Sequence, residues 1–241
     1  MLLELILRYG SADLCRQRNL LLQCAKLCSN PSGTSRRPRL RQTTGSNSPN
    51  RAKLPAQLKP TSLLDTRGDS ACQLAQMLDK YQLSWLEEPL RADRPLTEWV
   101  MLGQHCATPL AAGENVTGKA AFAAMLDLTP VAIAQPDIAK WGGISGCWEV
   151  IQLIQLKGRQ YYPHYLGAGV GLLASAHLLA AVNGGGGMLE VDSNPNRLRS
   201  SLVPFLKEIK EGGAFIGNID GLGIPDDLDR ICEGITLRIS H

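Results

Sequence analysis

The most informative residues of this 241-residue chain are four carboxylates and one histidine that recur at nearly constant spacing. They are Glu87, Glu114, Asp137, His164 and Glu190, separated by 27, 23, 27 and 26 residues. Each interval is close to the length of one strand, one helix and two short loops. In a parallel β/α barrel the carboxyl ends of the strands meet at one face, so residues far apart in sequence converge there. The spacing therefore predicts a metal-assisted acid/base site distributed over successive strands.

Two of these carboxylates have the chemistry of metal ligands. Glu87 is the first of a glutamate pair before Pro89, and alternation along a strand allows only one member of that pair to point into a barrel mouth. Carboxylates that lie close together repel one another unless a hard cation lies between them, and Mg²⁺ suits such an oxygen-rich site. The alternative is that Glu87 and Glu114 are unrelated surface carboxylates at the starts of loops.

Asp137 and His164 have the residue types of a proton-transfer pair. An aspartate that accepts a hydrogen bond from one imidazole nitrogen fixes the tautomer and raises the basicity of the other nitrogen. Such a pair is suited to removing a proton from carbon, with a metal stabilising the resulting enolate. Glu190 either donates a proton to the enolate or pairs with a nearby base, and Lys140 either contacts a substrate carboxylate or caps its loop. The alternative for His164 is a structural histidine beside a glycine turn.

Short apolar segments carry these residues in a regular alternation of strands and helices. Strands are predicted in SLLD, LSWLEEP, PLAAGE, VAIAQPD, RQYYPHY and GGMLEVD. Helices are predicted in SACQLAQMLDKYQ, PLTEWVMLGQHC, TGKAAFAAMLDL, ISGCWEVIQLIQLKG and GVGLLASAHLLAAVN, with Thr117 as the N-cap of the third. This order predicts an α/β fold with parallel strands joined by right-handed crossovers. An open sheet with helices on both faces is the competing architecture.

The N-terminal quarter differs from the rest in charge and composition. Residues 1–60 contain eleven Lys and Arg against two acidic residues, whereas the remaining 181 contain fourteen basic and twenty acidic residues. The segment from about Asn30 to Ser62 is rich in Ser, Thr, Pro, Asn and Arg, which predicts disorder, and LLELILRY and CRQRNLLLQCAKLC before it are predicted short helices. Two parts are therefore expected, residues 1–61 and 62–241. A targeting peptide or a polyanion-binding tail is the alternative for the first part, although nucleic-acid binding is not favoured because interleaved aromatic residues are missing.

Composition narrows the class of protein further. The sequence has no run of 18 apolar residues, so no membrane-spanning helix is expected, and the opening MLLELILRYG is too short for a signal peptide core. The seven cysteines have no zinc-site spacing and are expected to be free thiols in a reducing compartment, the cytoplasm.

The motifs WLEEP, AAGEN, QPDIAKWGGISG, PHYLGAGVG and LEVDSNPNRLR resemble those of the enolase superfamily, in its mandelate racemase/muconate-lactonizing branch. The similarity runs from about Ser62 to Ile224. The resemblance implies a modified (β/α) barrel of the TIM type with Mg²⁺ held by carboxylates at the ends of its third, fourth and fifth strands. It also implies abstraction of a proton α to a carboxylate, to give a metal-stabilised enediolate.

The resemblance assigns roles to positions of this sequence. The implied metal ligands are Glu87, Glu114 and, in the segment SLLDTRGDSACQ, Asp65. Asp137 and His164 would form the acid/base dyad, with Glu190 as the electrophilic group. Together they imply a small hydroxy-acid substrate and a racemase or sugar-acid dehydratase. A homo-oligomer would be in keeping with the family.

The same resemblance shows what the sequence lacks. The family's α+β capping domain, its first two barrel strands and the Lys-x-Lys motif of the second have no recognisable counterpart. We therefore expect an incomplete barrel, truncated or rearranged at its N-terminal side, with open edges at its third and eighth strands that another chain could pair with. A catalytically inactive barrel remnant or interaction module is accordingly the alternative to an Mg²⁺-dependent enzyme.

Overall fold

The computed structural model describes residues 2–7, 57–58, 68–182, 187–192, 194–210, 213–217 and 220–233. Most of the segment predicted to be disordered lies outside these ranges, so the division at residue 61 stays a prediction. Asp65, the predicted third metal ligand, and the predicted strand SLLD also lie outside the described residues.

Strands and helices alternate through the described part of the chain. The strands are β1 (Leu2–Leu7), β2 (Gln57–Leu58), β3 (Trp85–Glu87), β4 (Leu110–Ala112), β5 (Val131–Ala134), β6 (Gln160–Tyr161), β7 (Leu189–Val191) and β8 (Gly213–Phe215). The α-helices are α1 (Gly68–Asp79), α2 (Leu96–His105), α3 (Lys119–Leu128), α4 (Gly143–Leu156), α5 (Gly169–Ala181), α6 (Arg197–Leu202) and α7 (Leu228–Cys232), with a 3₁₀ turn at Pro204–Lys207. Every strand and helix predicted between α1 and β7 is present. None of the described helices is both long and apolar enough to cross a bilayer.

The strands form a parallel sheet of the kind that β/α repeats build. Its order is β2-β3-β4-β5-β6, and each neighbouring pair is parallel. A second sheet has the order β7-β1-β8, in which β1 is parallel to β7 and antiparallel to β8. Because consecutive parallel strands are joined by helices, the carboxyl ends of β3 to β6 lie at one edge. The architecture is that of a partial β/α barrel, as predicted.

Two predictions about the N-terminal side are wrong. LLELILRY is not a helix, because Leu2–Leu7 is a strand with Ile6 opposite Glu190 and Leu3 opposite Ala214. A short apolar run has no decisive period, and the strand is selected by its pairing, in which the second half of Leu2–Leu7 pairs with β7 and the first half with β8. β7 carries Glu190 and corresponds to the predicted eighth strand of the barrel, and its edge is not open because β1 pairs with it. At the other end of the barrel strands, β2 (Gln57–Leu58) pairs in parallel with β3.

Alternation along the strands divides the buried side chains into two layers. Trp85, Ala111, Ile133 and Tyr162 form one cluster in the interior, where the rings of Trp85 and Tyr162 meet edge to face with centroids 5.3 Å apart. The strand residues between them, such as Leu86, pack outward in a larger core shared with the helices. Strands buried on both faces are the reason why these segments are apolar without a polar alternate position.

The predicted N-cap of α3 is also wrong. The helix begins at Lys119, and its N-cap is Gly118, with no side-chain capping bond. Gly118 has a φ of 95°, in the region that glycine adopts most easily. The chain therefore turns into the helix one residue after Thr117.

Candidate active site

His164 and Asp137 lie side by side just beyond the carboxyl ends of β6 and β5. The pairing between these strands continues past them as an isolated parallel bridge between the two residues. His164 Nδ1 lies 2.7 Å from Asp137 Oδ2, and both side chains are buried. An aspartate at Nδ1 fixes the imidazole tautomer and leaves Nε2 for proton transfer. The predicted pairing of these two residues is present.

The loop after Asp137 holds this carboxylate in place. Its second oxygen, Oδ1, accepts hydrogen bonds from the backbone N–H groups of Ala139 at 2.8 Å and Lys140 at 3.2 Å. One oxygen is thus tied to the local backbone while the other faces the imidazole. The orientation of His164 therefore depends on the turn that follows β5.

The other ring nitrogen of His164 faces two glutamates. Nε2 lies 3.0 Å from Glu114 Oε2, and 3.8 Å from Glu190 Oε2. Glu114 follows β4, and Glu190 belongs to β7 and is 4% exposed. Three of the predicted carboxylates, each from a different strand, are thus gathered around the imidazole of the fourth predicted residue, His164.

The surrounding carboxylates change the protonation of the dyad. Burial alone would lower the pKa of His164, but its hydrogen bonds to Asp137 and Glu114 and the charge of Glu190 raise that pKa from 6.5 to about 9. Burial would likewise raise the pKa of Asp137, but the hydrogen bond from His164 and those from the backbone of Ala139 and Lys140 hold it below its ordinary value. In the metal-free protein at neutral pH these shifts favour an imidazolium at His164 and a carboxylate at Asp137.

The second oxygen of Glu114 belongs to a polar network at the rim of the site. Glu114 Oε1 lies 3.3 Å from Lys140 Nζ and 3.2 Å from Asn115 Nδ2. Asn115 Nδ2 also lies 3.2 Å from each carboxylate oxygen of Glu88, and Asn115 Oδ1 is 3.1 Å from Lys140 Nζ. Lys140 thus reaches the site instead of only capping its loop. The sequence alone assigned no role to Asn115, the last residue of the AAGEN motif, or to Glu88, which belongs to the WLEEP motif.

Glu87 points into the interior, as alternation predicted for one member of the glutamate pair. It is 1% exposed, and its Oε2 accepts a hydrogen bond of 3.3 Å from Trp85 Nε1 in the interior cluster. Glu114 is 9% exposed. The alternative interpretation of Glu87 and Glu114 as surface carboxylates is therefore wrong.

The chemistry of the donors fits a hard divalent cation. Glu87 and Glu114 offer buried carboxylate oxygens at the ends of adjacent parallel strands, and Mg²⁺ takes such ligands. Within the described ranges no three His, Cys, Asp or Glu residues are close enough to form a complete metal site. Asp65 lies outside those ranges, so the three-carboxylate ligand set stays a prediction.

A cavity of about 810 Å³ opens beside this cluster. It is lined by Glu88, Glu114 and Asn115 together with apolar side chains of α2 and α3, including Trp99 and Met125. Small-molecule pockets have this size and this mixture of apolar walls with a few polar groups.

Parallel strands with a histidine and carboxylates at their carboxyl ends define a β/α-barrel domain with an acid/base site. Residues 65–230 match the model of the family described as enolase C-terminal domain-like. The chain belongs to this family, and its fold is that of the enolase superfamily.

Known relatives agree with this assignment. The chain is 32% identical over 177 residues to D-xylonate dehydratase from Haloferax volcanii, which covers 70% of this chain and 42% of that protein. Among solved structures, a mandelate racemase/muconate lactonizing enzyme from Bordetella bronchiseptica is 40% identical with a TM-score of 0.72, over 95% of this chain and 57% of that one. The fold is shared with L-talarate dehydratase from a Polaromonas species, solved with Mg and L-glucarate, at 22% identity and a TM-score of 0.60. The last match covers 71% of this chain and 44% of the Polaromonas chain. Taking the three matches together, the chain spans about half the length of these proteins.

Proposed function

We propose that this chain carries the site of an Mg²⁺-dependent enolisation of a hydroxy acid, as a sugar-acid dehydratase or a racemase. The observation that supports this most directly is the pairing of His164 with Asp137. In this arrangement Nε2 of His164 faces Glu114 and Glu190 at the strand ends. D-xylonate dehydratase, the relative from Haloferax, acts by its name on such an acid. In a dehydration of this kind the C2–H and C3–O bonds break, and the hydroxyl leaves as water.

The site residues divide into three roles. His164 exchanges a proton with C2 of the substrate at Nε2, and Asp137 holds the ring through Nδ1. Glu190, once protonated, donates a hydrogen bond to the substrate oxygen where negative charge develops, and Lys140 contacts the substrate carboxylate. Glu87, Glu114 and Asp65 are the proposed ligands of Mg²⁺, which when bound supplies electrostatic stabilisation of that charge.

The protonated state of His164 in the metal-free protein indicates which proton transfers this side chain carries out directly. As an imidazolium it is ready to return a proton to carbon or to protonate a departing hydroxyl group. Removal of the α-proton requires the neutral form, so His164 must first release its proton. A single histidine that changes protonation state in this way is sufficient for a dehydration, in which one proton is taken from C2 and one is given to the leaving group.

Exchange of the α-proton in deuterated solvent tests this proposal without requiring the full reaction. The protein with Mg²⁺ is incubated with D-xylonate, arabinonate, L-glucarate or mandelate in D₂O, and loss of the C2–H signal is followed by NMR. Wild type is expected to exchange at least one of these acids. H164N should abolish exchange, whereas H105N, the same change at an exposed histidine of α2, should leave it intact. Equal exchange by both variants would remove His164 from the mechanism.

An inactive barrel remnant or interaction module is the second candidate. It is favoured by the incomplete set of metal donors within the described residues and by the match to only part of each relative. Calorimetric titration separates the two functions. The enzyme requires Mg²⁺ binding that E87Q and E114Q weaken, whereas no binding up to millimolar Mg²⁺ together with no α-proton exchange would support the inactive module.

A further inference from the structure

The amide of Asn115 connects charged groups from three neighbouring strand ends. Its Nδ2 lies 3.2 Å from both carboxylate oxygens of Glu88, after β3, and 3.2 Å from Oε1 of Glu114, after β4. Its Oδ1 lies 3.1 Å from the ammonium nitrogen of Lys140, after β5. An exposed side chain thus makes contacts that cross the site.

The chemistry of its partners fixes the orientation of this amide. Ionised carboxylates only accept hydrogen bonds, and an ammonium group only donates them. The NH₂ end of Asn115 must therefore face Glu88 and Glu114, and its carbonyl oxygen must face Lys140. Reversing the amide would place its carbonyl oxygen against the two carboxylates and its NH₂ group against the ammonium group.

The backbone at Glu88 directs this side chain toward Asn115. Glu88 has a φ of 39°, in a region that residues with a Cβ seldom adopt. Such conformations persist where the surrounding structure requires them, and they concentrate at functional sites. Here the conformation sends the 4%-exposed Glu88 side chain to Asn115, while the preceding Glu87 points to Trp85 in the interior.

We propose that Asn115 is a positioning residue for Glu114 and Lys140. Its amide holds Lys140 against Oε1 of Glu114, so Oε2 is the oxygen that faces Nε2 of His164. Asn115 therefore determines which oxygen of Glu114 faces the dyad and where the ammonium group of Lys140 stands. Its effect on turnover rests on the proposed function, but its effect on Lys140 does not.

The reactivity of the Lys140 amine tests the positioning directly. Lys140 is 39% exposed, so reductive methylation can reach it, and mass spectrometry measures its rate beside those of Lys119 and Lys157, which pair with carboxylates elsewhere. N115A should raise the methylation rate of Lys140 roughly two- to fivefold, the effect of losing one solvent-accessible hydrogen bond to a cation. T117A, at an exposed position in the same loop, should leave the rate unchanged.

N115D separates positioning from general support of the loop. The new carboxylate still accepts from Lys140, so the methylation rate should not rise, but it repels Glu88 and Glu114. Both N115A and N115D should lower kcat for α-proton exchange more than they raise KM, with the thermal unfolding midpoint close to that of T117A. A purely structural role predicts instead that the unfolding midpoint falls and that both variants change Lys140 reactivity alike.

The outcomes distinguish this inference from the proposed function. If wild type exchanges no acid but N115A raises Lys140 reactivity, the positioning stands and the proposed function fails. If wild type exchanges a substrate and N115A changes neither Lys140 reactivity nor kcat, the positioning is wrong. Equal methylation rates of Lys140 in wild type, N115A and N115D would also overturn it.

Discussion

Replacing Asp137 with asparagine removes the charge that most directly favours the protonated form of His164. In the metal-free protein the pKa of His164 is raised from 6.5 to about 9, and the hydrogen bond to Asp137 is the largest contribution that raises it. The total rise corresponds to roughly 3 kcal/mol in favour of the imidazolium. A hydrogen bond between charged groups contributes about 1.5–3 kcal/mol, so D137N should lower the pKa by roughly one unit or more.

The same pKa predicts how stability depends on pH. Because the folded-state pKa of His164 lies above its ordinary value of 6.5, the stabilisation is fully present below pH 6.5 and is lost as the pH rises through about 9. Urea unfolding of the metal-free wild type should therefore show a decrease of about 3 kcal/mol from this group across that interval. The decrease should be smaller in D137N, because the shift is smaller.

The assay is NMR titration of the imidazole signals in the presence of a chelator. The chain has four histidines, and H164N identifies the signal of His164 by its loss. D127N is the matched control, because Asp127 pairs with Lys157 on the helical surface. A pKa of His164 near 6.5 in wild type, or one that D137N and D127N change equally, would refute the reasoning.

Four further variants test other parts of the structure. Asp79 accepts hydrogen bonds from the backbone of Ala107 and Thr108, which hold its pKa below 3.8 against the effect of burial, so D79A should cost roughly 1 kcal/mol by urea unfolding. That contribution should be present above pH 3.8 and be lost as the pH falls through the lowered pKa, and a cost of D79A that does not decrease on acidification would contradict it. W85A should cost about 3–5 kcal/mol because Trp85 is 1% exposed, whereas L156A, at 78% exposure, should cost less than about 0.5 kcal/mol. E190A should lower α-proton exchange roughly 100-fold or more while circular dichroism stays unchanged, and exchange within twofold of wild type would exclude Glu190 from proton transfer and oxyanion stabilisation.

Local sequence patterns were sufficient to predict the central strands and helices of the fold. Continuous apolar runs such as VAIA and helical runs such as EVIQLIQL give strong signals, and β5 and α4 lie where these segments predicted them. The prediction of a helix at Leu2–Leu7 failed because six mostly apolar residues without a clear period do not distinguish a helix from a strand. The identity of this segment depends on strands more than 180 residues away in the sequence, which no local pattern contains.

The spacing of acidic and histidine side chains was also sufficient to predict that the site converges. Strand ends at one edge of a parallel sheet place Glu114, Asp137 and His164 together whatever lies between them. The spacing does not specify which atoms meet. The roles of Asn115 and Glu88 were missed because an asparagine and a second glutamate beside a candidate ligand are common on surfaces.

The amino-acid sequence by itself determined the family, the alternation of strands and helices from α1 to β7 and the chemical groups at the ends of those strands. Only the tertiary structure decided that Nδ1 of His164 faces Asp137, that Nε2 faces Glu114 and Glu190, and that Lys140 contacts the remaining oxygen of Glu114. These contacts depend on strand register and side-chain burial, to which residues distant in sequence contribute together. The raised pKa of His164 follows from the same convergence, because charges interact strongly only when folding brings them within a few ångströms in a region shielded from water.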